Sequence, residues 1–285
     1  MSLIQAIILG IVQGLTEFIP ISSTAHLVLA MLAMNLPLAP EQMTASIAVI
    51  QLGTLLAVLI YFARDIWNIS LAFIRDHLNL LKRNNPAGPH LSHEAWLGWL
   101  IIIGTLPVVI VGLLFKKQIE GTFTKNLWVI ATMMIVVAVL LALAEMVSSQ
   151  RKRMEDLGAG DALAVGFAQC LALIPGSSRS GSTIMAGLFA GQTRETAARF
   201  SFLLSIPAVG ASGLLELVEA LHKLPQGSLV SLAVGTIVSG IVGYLSIWFL
   251  LRYLRTHSTG VFIGYRIIVG GAILIALFMG KLSAL

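Results

Sequence analysis

Long uninterrupted apolar runs alternate with short polar connections along this chain, at roughly 43–63, 95–115, 126–146, 198–218, 228–250 and 262–283. A bilayer core takes about 20 residues of helix to cross, so each of the six runs predicts a membrane-spanning helix. Two further segments, around 1–30 and 160–190, are apolar but interrupted. Each reads as an apolar helix of moderate length, a proline followed by serines, and a second short apolar helix. A broken helix leaves unpaired backbone groups, which hydrocarbon tolerates only where protein or a wet cavity satisfies them. Each segment therefore predicts a re-entrant hairpin that dips into the membrane and returns.

Three spans separate the two hairpins, an odd number, so the hairpins enter from opposite faces. The expected fold is an all-α integral membrane protein with an inverted-topology repeat, each half one re-entrant helical hairpin plus three transmembrane helices. It forms a single polytopic domain over 1–285, with halves roughly 1–147 and 158–285. Inverted repeats place their site at the repeat interface near the midplane.

Composition agrees with the pattern. Charged residues make up 11% of the chain and hydrophobic ones 57%, against about 25% charged in an ordinary soluble domain. The net charge of +5 does not point to nucleic acid, because the basic residues sit mainly in the connections, as membrane topology alone requires. One side would hold Arg64, Arg75, Lys82, Arg83, Arg151, Lys152, Arg153, Arg252 and Arg255, and the other Lys116, Lys117, Lys125, Lys223 and Lys281. The richer side is expected in the cytoplasm, with both termini and the first hairpin outside. In the connection 64–94, Trp67, Ile69, Phe73 and Ile74 alternate with Arg64, Asp65, Arg75 and Asp76, as in an interfacial helix. The single cysteine, Cys170, excludes an intramolecular disulfide and a cysteine metal cage. The spacings Gly187-x-x-x-Gly191 and Ser239-x-x-x-Gly243 suit close helix contact in lipid.

Charged and hydroxylic residues are concentrated in the two interrupted segments. The first contains Gln13, Glu17, Pro20, Ser22, Ser23, Thr24 and His26, and the second Pro175, Gly176, Ser177, Ser178, Arg179, Ser180, Gly181, Ser182 and Thr183. The two bends share Ile-Pro-x-Ser-Ser and lie about 155 residues apart. Gln13 and Glu17, four apart, share one helix face. Pro20 ends that helix, and the serines fall where the next would be capped, a place that offers free N–H donors to an anion. His26 can carry a proton near neutral pH. Arg179 has the fork geometry that matches phosphate oxygens. It could also serve simply as a partner for Glu17. Polar groups of this kind inside a membrane mark a functional site. A carboxylate and amide for a hydrated cation, hydroxyl nucleophiles, a histidine and an arginine suit phosphoryl transfer, and the apolar surroundings imply an amphiphilic substrate. A secondary transporter or flippase for a phosphorylated lipid would use the same anion site. The Walker A spacing of Gly176 to Thr183 is discounted, since Ser182 replaces its lysine and no strand precedes it.

The motifs Gln13-x-x-x-Glu17 with Pro20-x-Ser22-Ser23-Thr24-x-His26, and Pro175-Gly-x-Ser178-Arg179-Ser180-Gly-x-Thr183, resemble the two signatures of the BacA-type undecaprenyl-pyrophosphate phosphatases. The resemblance extends through Gln51-Leu52-Gly53 and the stretch from Phe200 to Pro207. It implies hydrolysis of undecaprenyl diphosphate to the monophosphate at the outer face of the bacterial inner membrane. That reaction recycles the carrier for peptidoglycan synthesis and confers bacitracin resistance. It also implies a divalent cation, Mg or Ca. The family's first motif opens with Glu or Gln, and Gln13 here shifts the weight of cation binding to Glu17. On this reading Ser23, or in its place water activated by His26, attacks the terminal phosphorus, with Ser22 and Thr24 as supporting donors. Glu17, helped by Gln13, holds the cation. Arg179 stabilises the equatorial charge, Ser178, Ser180 and Thr183 orient the phosphates, and His26 is the general acid or base. The expected partners are a C55 isoprenoid diphosphate and the bilayer, with no nucleic acid and with a homodimer left open.

Overall fold

The computed structural model describes residues 1–36, 40–81, 91–115, 126–220 and 229–283. Lys82, Arg83, Lys116, Lys117, Lys125 and Lys223, which enter the expected charge asymmetry, lie outside the described residues. The first interrupted segment forms α1 (Leu3–Phe18) and α2 (Ser23–Ala33). They are followed by α3 (Pro40–Tyr61), α4 (Ala63–Leu81), α5 (His93–Leu114) and α6 (Leu127–Val147). The second forms α7 (Ala159–Gln169), a 3₁₀ turn (Cys170–Leu173) and α8 (Arg179–Phe189). The chain continues through α9 (Arg194–Ala220), α10 (Leu229–Leu254) and α11 (Gly260–Phe278).

Five of these helices are long and apolar enough to cross a membrane: α3 from Thr44, α5, α6, α10 and α11. The sixth expected run lies in α9, a continuous helix of 27 residues and so about 40 Å long. By contrast α1, with 16 residues, reaches only about 24 Å, short of the hydrocarbon thickness. Ser2 starts it through a capping box with Gln5, and Pro20 prevents its continuation.

Small residues set the packing. A Cβ on Gly10 of α1 would stand 2.4 Å from Gly235 O of α10, and one on Gly14 2.9 Å from Ser239 O. The same relation recurs between α7 and α5, where a Cβ on Gly166 would meet Gly104 O at 2.4 Å. Helices α3 and α10 touch through Gly53, and α6 and α11 through Gly270. The Ser239–Gly243 spacing thus serves a helix contact. In the 187–191 spacing only Gly187 does so, a Cβ there standing 2.8 Å from Ala197 Cβ of α9, while Gly191 has φ +83 and follows the end of α8.

One end of the assembly gathers charge where α3, α6 and α10 finish and α9 begins. Arg199 pairs with Asp65 at 2.6 Å, Arg255 with Glu195 at 2.7 Å, and Arg194 with Glu145. Between α3 and α5, α4 packs Phe73 and His77 against Trp99, with ring centroids 5.4 and 5.7 Å away. Its Trp67, Leu71, Ile74 and Leu78 face outward.

Candidate active site

Both bends turn by the same device. Ser22 precedes α2 with φ 78 and ψ 97, and Ser178 precedes α8 with φ 65 and ψ 117. Each hydroxyl accepts the amide three residues on, Ala25 at 3.4 Å and Gly181 at 3.1 Å, which satisfies one of the free donors of a helix start. The sequence likeness of the two bends pairs Ser22 with Ser177, but the caps are Ser22 and Ser178. The second bend takes one more residue, Gly176, whose φ of +90 carries the chain past the Ile130 carbonyl of α6.

The residue after each cap is the first of its helix, Ser23 in α2 and Arg179 in α8, and both reach the same carboxylate. Ser23 Oγ donates to Glu17 Oε2 at 3.0 Å, and Arg179 Nη2 donates to Glu17 Oε1 at 3.2 Å. Glu17 stands at the end of α1, where Phe18 is buried edge-on against Phe202 with ring centroids 5.3 Å apart. Gln13, one turn back, donates Nε2 to Glu17 Oε2 at 3.1 Å and to Thr54 Oγ1 of α3 at 3.4 Å. The two bends therefore meet at one acidic side chain, with a further link from Ser180 Oγ to Ile19 O at 3.3 Å.

The Glu17–Arg179 pair leaves much of the guanidinium unengaged. Nε and Nη1 of Arg179 are buried and have no hydrogen-bond partner among the described residues, and the same holds for the hydroxyls of Ser177 and Ser182. Buried donors without partners carry a desolvation cost of about 1–3 kcal/mol, which an anionic ligand would offset. A structural ion pair alone would leave the unpartnered hydroxyls of Ser177 and Ser182 unaccounted for.

The other expected residues occupy different positions. Ser178 and Ser180 lie beside Arg179, their hydroxyls 3.2 Å apart, and Thr24 is exposed on the first turn of α2. Thr183 is fully buried, its hydroxyl donating to Arg179 O at 2.7 Å and lying 2.6 Å from Ser201 Oγ, so it braces α8 against α9. His26 is held at both ring nitrogens, by Ser22 O at 2.7 Å and by the Tyr265 hydroxyl at 2.7 Å. It is Glu17, not His26, that receives the Ser23 hydroxyl in this arrangement.

Thr54, Tyr265 and Arg266 join the site without being singled out in the sequence, as does Ser201, which only the family resemblance of the Phe200–Pro207 stretch covers. Arg266 carried the one available signal, an arginine inside the apolar run 262–283. The others are ordinary residues until the helices are packed.

Among known proteins, the family model described as bacitracin resistance protein BacA matches residues 6–272. A protein of Syntrophobacter fumaroxidans named undecaprenyl-diphosphatase is 55% identical over 280 residues, 98% of each chain. Proteins of the same name from Chloroherpeton thalassium and Mycolicibacterium gilvum are 50% and 46% identical over the full length of both chains. The match runs through both hairpins and all five apolar spans, so the elements that build the Glu17–Arg179 junction are the ones shared, and the chain belongs to the BacA family.

Proposed function

We propose that this chain hydrolyses undecaprenyl diphosphate to undecaprenyl phosphate and inorganic phosphate, recycling the lipid carrier of peptidoglycan synthesis and conferring bacitracin resistance. The relatives' shared name supports the substrate. The observation that carries the chemistry is Arg179: one edge is fixed on Glu17 at 3.2 Å, while Nε and Nη1 are buried and unpartnered. A guanidinium so held keeps N–H groups at Nε and Nη1 free to donate to phosphate oxygens.

Ser23 Oγ attacks the terminal phosphorus and its proton passes to Glu17 Oε2, the oxygen it already contacts. The bond from that phosphorus to the bridging oxygen breaks, and undecaprenyl phosphate leaves. Water then attacks the phosphoserine, Glu17 Oε2 returns the proton to the departing Ser23 oxygen, and inorganic phosphate leaves with the water's protons. Arg179 and the α2 and α8 starts stabilise charge on the equatorial oxygens, and Ser178 and Ser180 orient the phosphates. His26 exchanges protons with the departing and entering groups, its ring set by Tyr265.

The donor set fits a divalent cation of one kind. Glu17, Gln13 and Ser23 supply hard oxygen atoms, while no group of three acidic, histidine or cysteine side chains stands together among the described residues. Mg or Ca is commonly bound by one or two carboxylates with substrate phosphates completing the shell. Glu17 would hold it here, with Gln13 steadying the carboxylate. When bound, such an ion neutralises charge on the diphosphate oxygens.

The paired contacts of Gly10 with Gly235 and of Gly166 with Gly104, and the matched caps Ser22 and Ser178, support an inverted repeat of two hairpins and six spans. The arginine-rich end at α3, α6, α9 and α10 supports a cytoplasmic placement for that end, with the first hairpin entering from the exterior of the inner membrane. Phosphate release from undecaprenyl diphosphate by detergent-solubilised protein, with and without a chelator, tests the reading. Release that falls on chelation and returns with Mg or Ca is expected. Binding without release would leave only a transporter, which needs a sealed membrane to act.

A further inference from the structure

We infer that Arg266 is the positioning residue that fixes the two bends against each other, and that its guanidinium thereby sets where Ser23 and Arg179 stand on Glu17. This rests on the hydrolytic reading for its consequence, though not for its geometry.

Arg266 is the seventh residue of α11 and has no exposed surface. Its hydrogen-bond acceptors are five backbone carbonyls and no carboxylate. Nε donates to Met134 O at 3.0 Å and Nη1 to Pro20 O at 3.3 Å. Nη2 faces Met133 O at 3.3 Å, Gly176 O at 3.0 Å and Ser177 O at 3.1 Å. Those carbonyls belong to three separate pieces of chain: the first bend, the second bend and α6. Among the described hydrogen bonds, no other side chain joins all three.

The position of the carbonyls gives the clamp its meaning. Pro20 lies two residues before the Ser22 cap, and Ser177 immediately before the Ser178 cap. Both caps hold positive φ without being glycine, a conformation that persists only where the surroundings over-determine it. Arg266 fixes the backbone entering each cap. The first residue beyond each cap is then Ser23 or Arg179, whose side chains converge on Glu17. Gly176, with φ +90, lies directly on α6, since a Cβ there would sit 2.2 Å from Ile130 O, so the clamp closes against a rigid wall.

An apolar side chain in this place would serve packing without burying a charge, and buried charges contribute little to stability on balance. Holding carbonyls from three directions needs the planar five-donor fork. A lysine offers three donors from one point and cannot span them.

The test compares Arg266→Lys, Arg266→Gln and Arg266→Ala with the wild-type protein in detergent. Steady-state phosphate release from undecaprenyl diphosphate and hydrogen exchange at the Ala25 and Gly181 amides, which bond the two cap hydroxyls, are both measured. Misplacing catalytic groups by about 1 Å costs on the order of 10²-fold. The expected result is a kcat reduced about that far in Arg266→Lys with KM little changed, and partial recovery of Arg266→Ala by added methylguanidinium. Ala25 and Gly181, far apart in sequence, are expected to lose protection together while α10 keeps its own. Wild-type kcat in Arg266→Lys overturns the proposal, as does lost protection at one bend alone or at neither. Failure of all three variants to fold also overturns it, leaving a purely structural arginine. Glu17→Gln serves as the reference: undiminished phosphate release there would overturn the hydrolytic site, whereas the exchange result judges the clamp independently.

Discussion

Ser22 and Ser178, on opposite hairpins, share one rare backbone conformation, with φ 78 and 65 and ψ 97 and 117. Each begins a helix of 11 residues whose first side chain contacts Glu17. The two caps aim the α2 and α8 starts at one place from two directions. The positive end of a helix favours an anion by about 0.3–1 kcal/mol at an exposed surface and more when partly buried. Two such ends beside Arg179 and Ser23 account for a polar site in apolar surroundings with a single carboxylate at its centre.

The caps predict an ordering of variants. Ser22→Ala and Ser178→Ala lose the side-chain acceptor and keep a Cβ at positive φ, so each is expected to lose about 1 kcal/mol of stability, whereas Gly at a cap costs only a few tenths. Thermal unfolding in detergent should place Ser178→Gly above Ser178→Ala. The reverse order would mean that the hydroxyl contact at 3.1 Å is not what holds the turn.

Glu17 and Arg179 are expected to act as a unit. Removing a donor aimed at developing charge typically lowers turnover by about 10²–10³, and both Arg179→Ala and Glu17→Ala should fall at least that far. Because the side chains meet at 3.2 Å, the double variant should lose far less than the product of the two single losses. Multiplicative losses in phosphate release would show two independent roles.

Ser23 separates two chemical routes. If its Oγ carries the phosphoryl group, Ser23→Ala should abolish turnover, and Ser23→Cys should trap or slow the second step. An enzyme that uses water directly, activated by Glu17, would keep measurable activity in Ser23→Ala. Rapid-quench detection of a radiolabelled phosphoenzyme from terminally labelled diphosphate distinguishes the two.

Five of the expected spans and the two broken helices were legible because their signals are local. Apolar runs of span length, and prolines followed by serines, need no neighbour to be recognised, and α3, α5 and α6 end within a few residues of the expected limits. Glu17 and Arg179 stood out because charge in apolar sequence is costly wherever it lies. The one-residue offset between the bends was hidden, since Ile-Pro-x-Ser-Ser aligns Ser22 with Ser177 and only the φ of Gly176 reveals the extra residue. The bracing of Thr183 by Ser201 and the capture of His26 by Tyr265 depend on packing between distant helices. No local pattern records such contacts.

Two glycine contacts bring the hairpins close to their neighbouring spans. A Cβ on Gly10 or Gly166 would each stand 2.4 Å from a glycine carbonyl of the facing helix, Gly235 or Gly104. The obstacle in both cases is backbone, so it cannot swing aside as a flexible side chain would. Overpacking of a close contact costs about 1–3 kcal/mol, and Gly10→Ala and Gly166→Ala should lower the unfolding temperature to a similar extent. Each helix also carries a glutamine three residues on, Gln13 bonded to Glu17 and Gln169 buried without a partner among the described residues. The functional cost should therefore be unequal: Gly10→Ala displaces Gln13 and Glu17 and lowers turnover beyond its effect on stability, while Gly166→Ala acts mainly on folding. Equal losses of turnover at matched stability would mean that the second hairpin shapes the site as directly as the first.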